Sequence, residues 1–279
     1  MKKAYLIVAI FVIGLCQISA QSFNVMTYNI KYDNPGDSLN NWDHRKDMVV
    51  GLIRFHKADI FGIQEGLHHQ VEYLVQHLPG FHYEGVGRDN GRQKGEYSAV
   101  FYNAKRFTRI SGGTFWLSDT PEKPSVGWDA ALERICSYVC LNDEVSGVRF
   151  WVFNAHLDHI GQTARLESLK LIHEKIKELK DEGDMVIVMG DFNATPSESP
   201  IEFMSKHYSE ARLISKEAPY GPEATFNGFS FHQIPQNHID YIFVNDRIKH
   251  VLRYGVLTDS KQCRYPSDHF PVLAEIKLK

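Results

Sequence analysis

Short polar motifs follow apolar segments at six places in this chain, and each carries a carboxylate, an amide or an imidazole. Carboxylate and amide oxygens are the ligands that Mg²⁺ prefers, and histidine changes its charge near neutral pH. Hydrolysis of a phosphoester requires an activated water, a neutralised phosphate and a stabilised leaving oxygen. The motifs therefore indicate metal-dependent phosphoester chemistry, and their polar residues are Asn29, Gln64, Glu65, Asn154, His156, Asp158, Asp191, Asn193, Asp240, Asp268 and His269.

Glu65 is the first candidate for a metal ligand. It follows the short apolar segment 60–64, so its carboxylate is expected at the floor of a pocket. Mg²⁺ keeps several waters and needs few protein carboxylates, and we expect Asn29 and Asp268 to complete its shell from neighbouring strand ends. The alternative is a solvated glutamate at the start of the next helix.

Two histidines are candidates for acid–base chemistry or phosphate binding. His269 is expected to act as a general base or as a donor to the phosphate in the transition state, with Asp240 holding its imidazole. His156 is the second imidazole, and Glu96 could orient it. Alternatively, a histidine in a strand serves only in packing.

Asp191 and Asn193 are separated by one residue. Alternate side chains of an extended segment face the same way, so both could address one phosphate or its attacking water. The alternative is an Asx turn that caps the strand, since both residue types favour turns.

The elements that must position these residues alternate along the chain. Leucine and isoleucine recur with helical spacing over 163–180, and the apolar segment 185–190 is typical of a strand buried on both faces. Further strands are predicted over 22–30, 60–64, 97–102, 107–115, 135–141, 149–154, 241–244, 251–257 and 272–276. Many strands with three or four helices predict an α/β fold, a four-layer α/β sandwich with two packed mixed β-sheets flanked by helices.

The first 20 residues have the features of a signal peptide. Lys2 and Lys3 precede the apolar segment 4–15, and small residues at 18–20 suit a cleavage site. We therefore expect an exported protein, periplasmic or secreted, with residues 21–279 as a single domain and no stable insertion in a membrane. Lipidation at Cys16 is the less favoured alternative, because Leu15 is large for that motif.

The motifs occur in an order that resembles the endonuclease/exonuclease/phosphatase superfamily, over essentially all of residues 21–279. The resemblance implies a four-layer α/β sandwich, a divalent metal that is usually Mg²⁺, with Mn²⁺ as a substitute, and attack of water on phosphorus without a covalent intermediate. It implies that Glu65 is the main metal ligand, with Asn29 and Asp268 near it. It further implies that Asp191 and Asn193 position water and phosphate, and that two pairs contact the phosphate: His156 with Glu96, and His269 with Asp240.

Four residues are candidates for substrate binding. Arg134 could contact a phosphate through its planar fork, and Trp128 could stack on a sugar or a base. His159 follows the His156 motif, and Phe226 lies in a loop that could line the pocket. The alternative for Trp128 and Arg134 is an aromatic loop anchor beside a surface arginine.

The net charge of −3 does not suggest tight, sequence-independent binding of nucleic acid. We therefore expect a monomeric hydrolase of a small or sugar-containing phosphoester. A catalytically silent binding module is one alternative. The other is a secreted Mg²⁺-dependent nuclease, which a cluster of basic residues keeps open: Arg88, Arg92, Lys94, Arg106 and Arg109.

Overall fold

The computed structural model describes residues 22–277, so the predicted signal peptide and Cys16 lie outside the described residues. Its strands are β1 (Ser22–Asn29), β2 (Ile60–Gln64), β3 (Phe81–Glu84), β4 (Val100–Asn103), β5 (Phe107–Trp116), β6 (Ile135–Asp143), β7 (Val148–His156), β8 (Met185–Asp191), β9 (Ser209–Glu210), β10 (Asp240–Val244), β11 (His250–Val256) and β12 (Val272–Lys277). The helices are α1 (Trp42–Phe55), α2 (His68–His77), α3 (Gln162–Leu179) and α4 (Ser199–His207), and a 3-10 helix covers Pro35–Asn40.

The strands form two mixed sheets of six strands each. The first has the order β11-β12-β1-β2-β4-β3, and the second has the order β5-β6-β7-β8-β10-β9. One parallel pair lies inside each sheet, β1 with β2 and β7 with β8, and the other pairs are antiparallel. Each parallel pair brings two strand ends to one edge, the position at which α/β folds bind ligands.

Apolar residues of both sheets pack face to face in one core, which includes Val25, Ile60, Val152 and Ile187. Helices α1 and α2 cover the outer face of the first sheet, and α3 and α4 cover the outer face of the second. This arrangement confirms the predicted four-layer α/β sandwich. Along residues 22–277, no helix combines the length and apolarity that a bilayer span requires.

Buried amides join the two sheets beneath the site. Gln64 donates from Nε2 to Asn154 Oδ1 at 2.6 Å, and Asn154 donates from Nδ2 to the carbonyls of Ile63 and Ala99 at 2.9 and 3.0 Å. Glycine is required at position 62, because a Cβ there would lie 2.5 Å from Asn154 Oδ1. These contacts fix β2 against β7, so the ends of both strands keep one relative position.

Several elements differ from the sequence-based prediction, among them strand β9 and the 3-10 helix, which were not predicted. The strand predicted over 97–102 begins at Val100, and Tyr97 instead makes isolated bridges with Gly66 and Gly87. Strand β3 was not predicted because it is a short, half-exposed sheet edge with polar residues. Helix α4 was not predicted because its nine residues carry a weak periodic signal.

Candidate active site

The polar strand ends converge on one edge of the sandwich. Asn29 ends β1, His156 ends β7 and Asp191 ends β8, while Asp240 begins β10 directly opposite Asp191. They surround a cavity of about 530 Å³. Its lining residues are Lys31, Tyr32, Glu65, Arg88, Glu96, Leu132, Arg134, His156, His159, Asp191, Asn193, Phe226, Asn237, Ile239, Asp268 and His269.

Asn29 lies at the centre of the site and acts there as a hydrogen-bond donor. Its Nδ2 donates to Glu65 Oε1 at 3.0 Å and to Asp191 Oδ2 at 2.9 Å. Its Oδ1 instead accepts from the backbone N–H of Lys31 at 3.0 Å. To serve as the predicted metal ligand, Asn29 would have to turn its oxygen toward the ion.

Glu65 is held at the floor of the cavity by backbone and side-chain contacts. Its φ of 63° is unusual for a residue other than glycine, which is common at sites where the surrounding fold fixes a side chain. The N–H of Tyr32 donates to Oε2 at 3.2 Å. Burial favours the neutral acid, but Lys31 and the Asn29 amide outweigh burial and lower the pKa of Glu65. The carboxylate is thus kept ionised.

The donor set suits a hard divalent cation. Glu65 Oε2 and Asp268 Oδ2 lie 3.6 and 3.7 Å from the ammonium of Lys31, so both carboxylates already face one cation. Ligand atoms of Glu65, His156 and Asp191 also lie within 4.8 Å of one another. Carboxylate oxygens near an imidazole could hold a divalent cation.

His269 pairs with Asp240 as the sequence suggests. Its Nδ1 lies 2.9 Å from Asp240 Oδ2, and its Nε2 lies 3.7 Å from Asp191 Oδ2. Burial disfavours the imidazolium, but Asp240 and Asp191 outweigh burial and raise the pKa of His269 to about 10. An imidazole whose protonated form is favoured in this way is suited to donate to a phosphate oxygen.

Asp191 and Asn193 form the Asx turn, and both also line the cavity. The N–H of Asn193 donates to Asp191 Oδ1 at 3.0 Å. The other carboxylate oxygen, Oδ2, accepts from Asn29 Nδ2 at 2.9 Å and lies 3.5 and 3.7 Å from Nε2 of His156 and of His269. Gly190, with φ of 148°, precedes the turn, and a Cβ there would lie 1.9 Å from the carbonyl oxygen of Ala155. Burial, and then the charge of Asp240, raise the pKa of Asp191 to about 7.

His156 is oriented by Asn193 and not by Glu96. Asn193 Nδ2 donates to His156 Nε2 at 3.1 Å, which places the imidazole proton on Nδ1. Glu96 Oε2 lies 3.9 Å from that Nδ1, beyond hydrogen-bonding distance. The predicted pair is therefore present as a close contact of the two side chains and not as a hydrogen bond. Burial, and then the charges of Arg134 and Arg88, lower the pKa of His156 far below its usual range, so this imidazole is neutral.

Two arginines form one wall of the cavity, and both are fixed by carboxylates. Arg88 donates to both oxygens of Glu96, at 2.7 and 2.9 Å. Arg134 donates from Nε to Asp158 at 3.2 Å, and its Nη2 lies 2.9 Å from His159 Nδ1. Arg134 is only 4% exposed, so it is a buried part of the wall and not a surface arginine.

Of the two remaining candidates for substrate binding, Phe226 lines the cavity and Trp128 does not. Phe226 lines the cavity, and its ring packs edge-on against His269 with centroids 5.0 Å apart. Trp128 is half-buried and is not among the described residues that line the cavity. The predicted stacking of Trp128 on a sugar or base is therefore not supported by its position.

Arg45 of α1 lies behind the site and holds its two backbone segments. This fully buried side chain donates to the carbonyls of Ile30 and Lys31, after β1, and to that of Pro266, before Asp268. Arg45 could not be singled out from the sequence, because an arginine in an amphipathic helix usually belongs to the solvated face. Lys31 could not be singled out either, because a lysine near Asn29 has no motif of its own.

Comparisons with known proteins agree with this geometry. A family model described as the Endonuclease/Exonuclease/phosphatase family matches residues 26–269. A Bacteroides thetaiotaomicron protein of that family has a similar structure, with a TM-score of 0.89 and 40% identity over 93% of this chain and 98% of that one. A mannosyl-6-phosphatase of the same organism has a TM-score of 0.87 and 41% identity, over 91% of this chain and 99% of that one.

Curated sequences give more distant matches. The CCR4-Not complex 3'-5'-exoribonuclease subunit Ccr4 of Mycosarcoma maydis is 22% identical over 93% of this chain and 51% of its own length. The chain thus spans about half the length of this curated relative. Two of these relatives are named for phosphoester hydrolysis, one as a mannosyl-6-phosphatase and one as an exoribonuclease subunit. On the family match, the shared fold and the converged strand ends, the chain belongs to the endonuclease/exonuclease/phosphatase family.

Proposed function

We propose that this protein is an exported, metal-dependent hydrolase of small, sugar-containing phosphoesters. The observation that carries the substrate class is that the arginines of the basic cluster that favoured a nuclease are paired with carboxylates. Arg88 pairs with Glu96, Arg106 with Asp143 and Arg109 with Glu84. A surface that binds a nucleic-acid strand needs lysines and arginines that are free to neutralise successive phosphates.

Two exposed basic residues remain for a nucleic acid near this wall. Lys94 lies 3.7 Å from Asp89, and Arg92 has no carboxylate partner within the described chain. Two such residues give a short positive patch and not a groove. The similarity to a mannosyl-6-phosphatase at 41% identity also supports a phosphorylated sugar, whereas the exoribonuclease relatives at 22% identity support the nuclease less.

The side chains supply separate parts of the reaction. A bound divalent ion would neutralise phosphate charge and lower the pKa of a water. Glu65 and Asp268 would hold that ion. Asp191 lies between both imidazoles and, fixed by Asn29, is placed to orient the attacking water and accept its proton. His269, held by Asp240, would donate to a phosphate oxygen.

The testing experiment is hydrolysis by purified residues 21–279 with Mg²⁺ or with a chelator. The substrates would be sugar phosphates, a simple phosphomonoester, a simple phosphodiester, and single- and double-stranded DNA and RNA. Mg²⁺-dependent cleavage of the small esters alone is the expected result. Cleavage of polymers at comparable rates would instead favour the nuclease.

A double variant sharpens this choice. Replacing Arg92 and Lys94 by alanine should leave hydrolysis of a sugar phosphate unchanged. A nuclease that used this patch would lose polymer affinity and part of its salt dependence. Lys177→Ala, on the exposed face of α3 and paired with Glu174, is the matched control for charge removal.

A further inference from the structure

Lys31 is the one lysine among the described residues that line the cavity, and it lies between candidate metal ligands. Its Nζ is 3.6 Å from Glu65 Oε2 and 3.7 Å from Asp268 Oδ2. Both distances exceed that of a hydrogen bond. The ammonium therefore balances two carboxylates without being locked to either.

The backbone of Lys31 is fixed, in contrast to its ammonium. Its N–H donates to Asn29 Oδ1, and its φ is 56°. Its carbonyl accepts from Arg45 Nη2 at 2.6 Å and from Gln70 Nε2 at 3.0 Å. Four rotatable carbon–carbon bonds separate this anchored backbone from the charge, so the ammonium can move within the cavity while its base stays in place.

The other cations of the cavity do not have this freedom. Arg88 makes two hydrogen bonds to Glu96, and Arg134 is buried against Asp158. His269 is held by Asp240. Lys31 is thus the cation best able to leave its carboxylates when a second positive charge arrives between them.

We propose that Lys31 is a second, built-in cation of this site. With one divalent ion held by Glu65 and Asp268, the ammonium turns into the cavity and contacts an oxygen of the substrate's phosphate. This inference rests on the proposed function and adds a preference to it. A phosphomonoester carries nearly two negative charges at pH 7, whereas a diester carries one, so an additional ammonium favours the monoester.

A simpler role for Lys31, as a counter-charge only, predicts different effects of its removal on ion and phosphate binding. If Lys31 only fills the space between two carboxylates, a bound ion displaces it and it has no further effect. Removing the lysine would then strengthen ion binding and change nothing else. If Lys31 is the second cation, its removal strengthens ion binding and weakens phosphate binding together.

The test compares Lys31→Gln and Lys31→Met with Lys31→Arg, which keeps the charge. Mn²⁺ binding would be followed by electron paramagnetic resonance without substrate, and inorganic phosphate binding to the Mn²⁺-loaded protein by calorimetry. We expect one Mn²⁺ per chain in the wild type and tighter Mn²⁺ binding in the neutral variants. Phosphate binding should weaken roughly 10- to 100-fold in both neutral variants and less in Lys31→Arg.

Turnover provides the third measurement. The ratio of kcat/KM for a monoester to that for a diester should fall in both neutral variants. Unchanged phosphate affinity in the two folded neutral variants, or two Mn²⁺ ions per wild-type chain, would overturn the proposal. If the wild type hydrolyses no ester but phosphate binding depends on Lys31, the proposed function fails while the phosphate contact of Lys31 stands.

Discussion

The carboxylate of Asp240 lies 2.9 Å from Nδ1 of His269, and both side chains are almost fully buried. Asp240 begins β10, whereas His269 precedes β12 in the other sheet. The contact therefore has two effects. It joins the two sheets at the cavity, and it favours the protonated form of the imidazole. The proposed role of His269 and the alignment of the two sheets thus depend on one hydrogen bond.

We expect Asp240→Asn to lower kcat by about 100-fold or more, because the imidazole loses the charge that keeps it protonated. His269→Ala should abolish hydrolysis. Steady-state kinetics at saturating Mg²⁺ would measure both effects. Asp259→Asn is a matched control, since Asp259 pairs with His56 on the exposed surface at 3.0 Å. Wild-type rates in His269→Ala would remove this histidine from the reaction.

Glu65→Ala should weaken metal binding and lower turnover steeply, since it removes one of two carboxylates that face the cation. Mn²⁺ binding without substrate separates this loss from any effect on substrate. Glu122→Ala removes an exposed carboxylate away from the cavity and should behave as the wild type. Unchanged Mn²⁺ affinity in Glu65→Ala would place the ion elsewhere.

Asn154→Ala should lower the free energy of unfolding by about 3 kcal/mol, because the carbonyl of Ile63 loses the Asn154 donor and Gln64 Nε2 loses the Asn154 acceptor in the core. The carbonyl of Ala99 keeps its bond from the N–H of Ile63 at 2.9 Å. Denaturant unfolding followed by fluorescence measures the change. Asn142→Ala, whose side chain bonds Glu144 at the surface, should cost far less. A loss as small as in this control would show that the inter-sheet amides do not hold the sheets together.

Asp158 should make folding sensitive to acid. Burial opposes its ionisation, but the N–H groups of Gly161 and Ile160, together with Arg134, lower its pKa to about 2. A carboxyl with a lowered folded pKa stabilises the protein above its unfolded pKa near 4 and loses that contribution as pH falls toward 2. The difference in unfolding free energy between wild type and Asp158→Asn should be constant from pH 5 to 8 and shrink below pH 4. A difference that grew toward acid pH would contradict this assignment.

The fold class could be predicted because its signals are local. Apolar strands such as β8 and the periodic α3 reveal buried elements directly, and polar residues at their ends reveal an edge. Strand β3 carries no such signal, since a sheet edge half exposed to solvent does not require apolar residues.

The residues that converge at the candidate site and the pairing of His269 with Asp240 were predictable from the sequence, whereas the hydrogen-bond partner of His156 was not. From the sequence alone, Asn193 and Glu96 are equally good partners for His156. The structure shows that the Glu96 carboxylate accepts hydrogen bonds from Arg88, whereas the Asn193 amide contacts the imidazole of His156. The direction of an amide cannot be deduced from composition either. The nitrogen of Asn29 faces the site because the N–H of Lys31 requires its oxygen.

Arg45 extends from a helix on the outer layer to the carbonyls of Ile30 and Pro266, which lie on the two segments carrying Lys31 and Asp268. Detachment of α1 from the first sheet would therefore release both segments together. Local unfolding of this helix and loss of the ion site become one event. A ligand that binds in the cavity should then slow amide hydrogen exchange in α1, a helix that does not line the cavity.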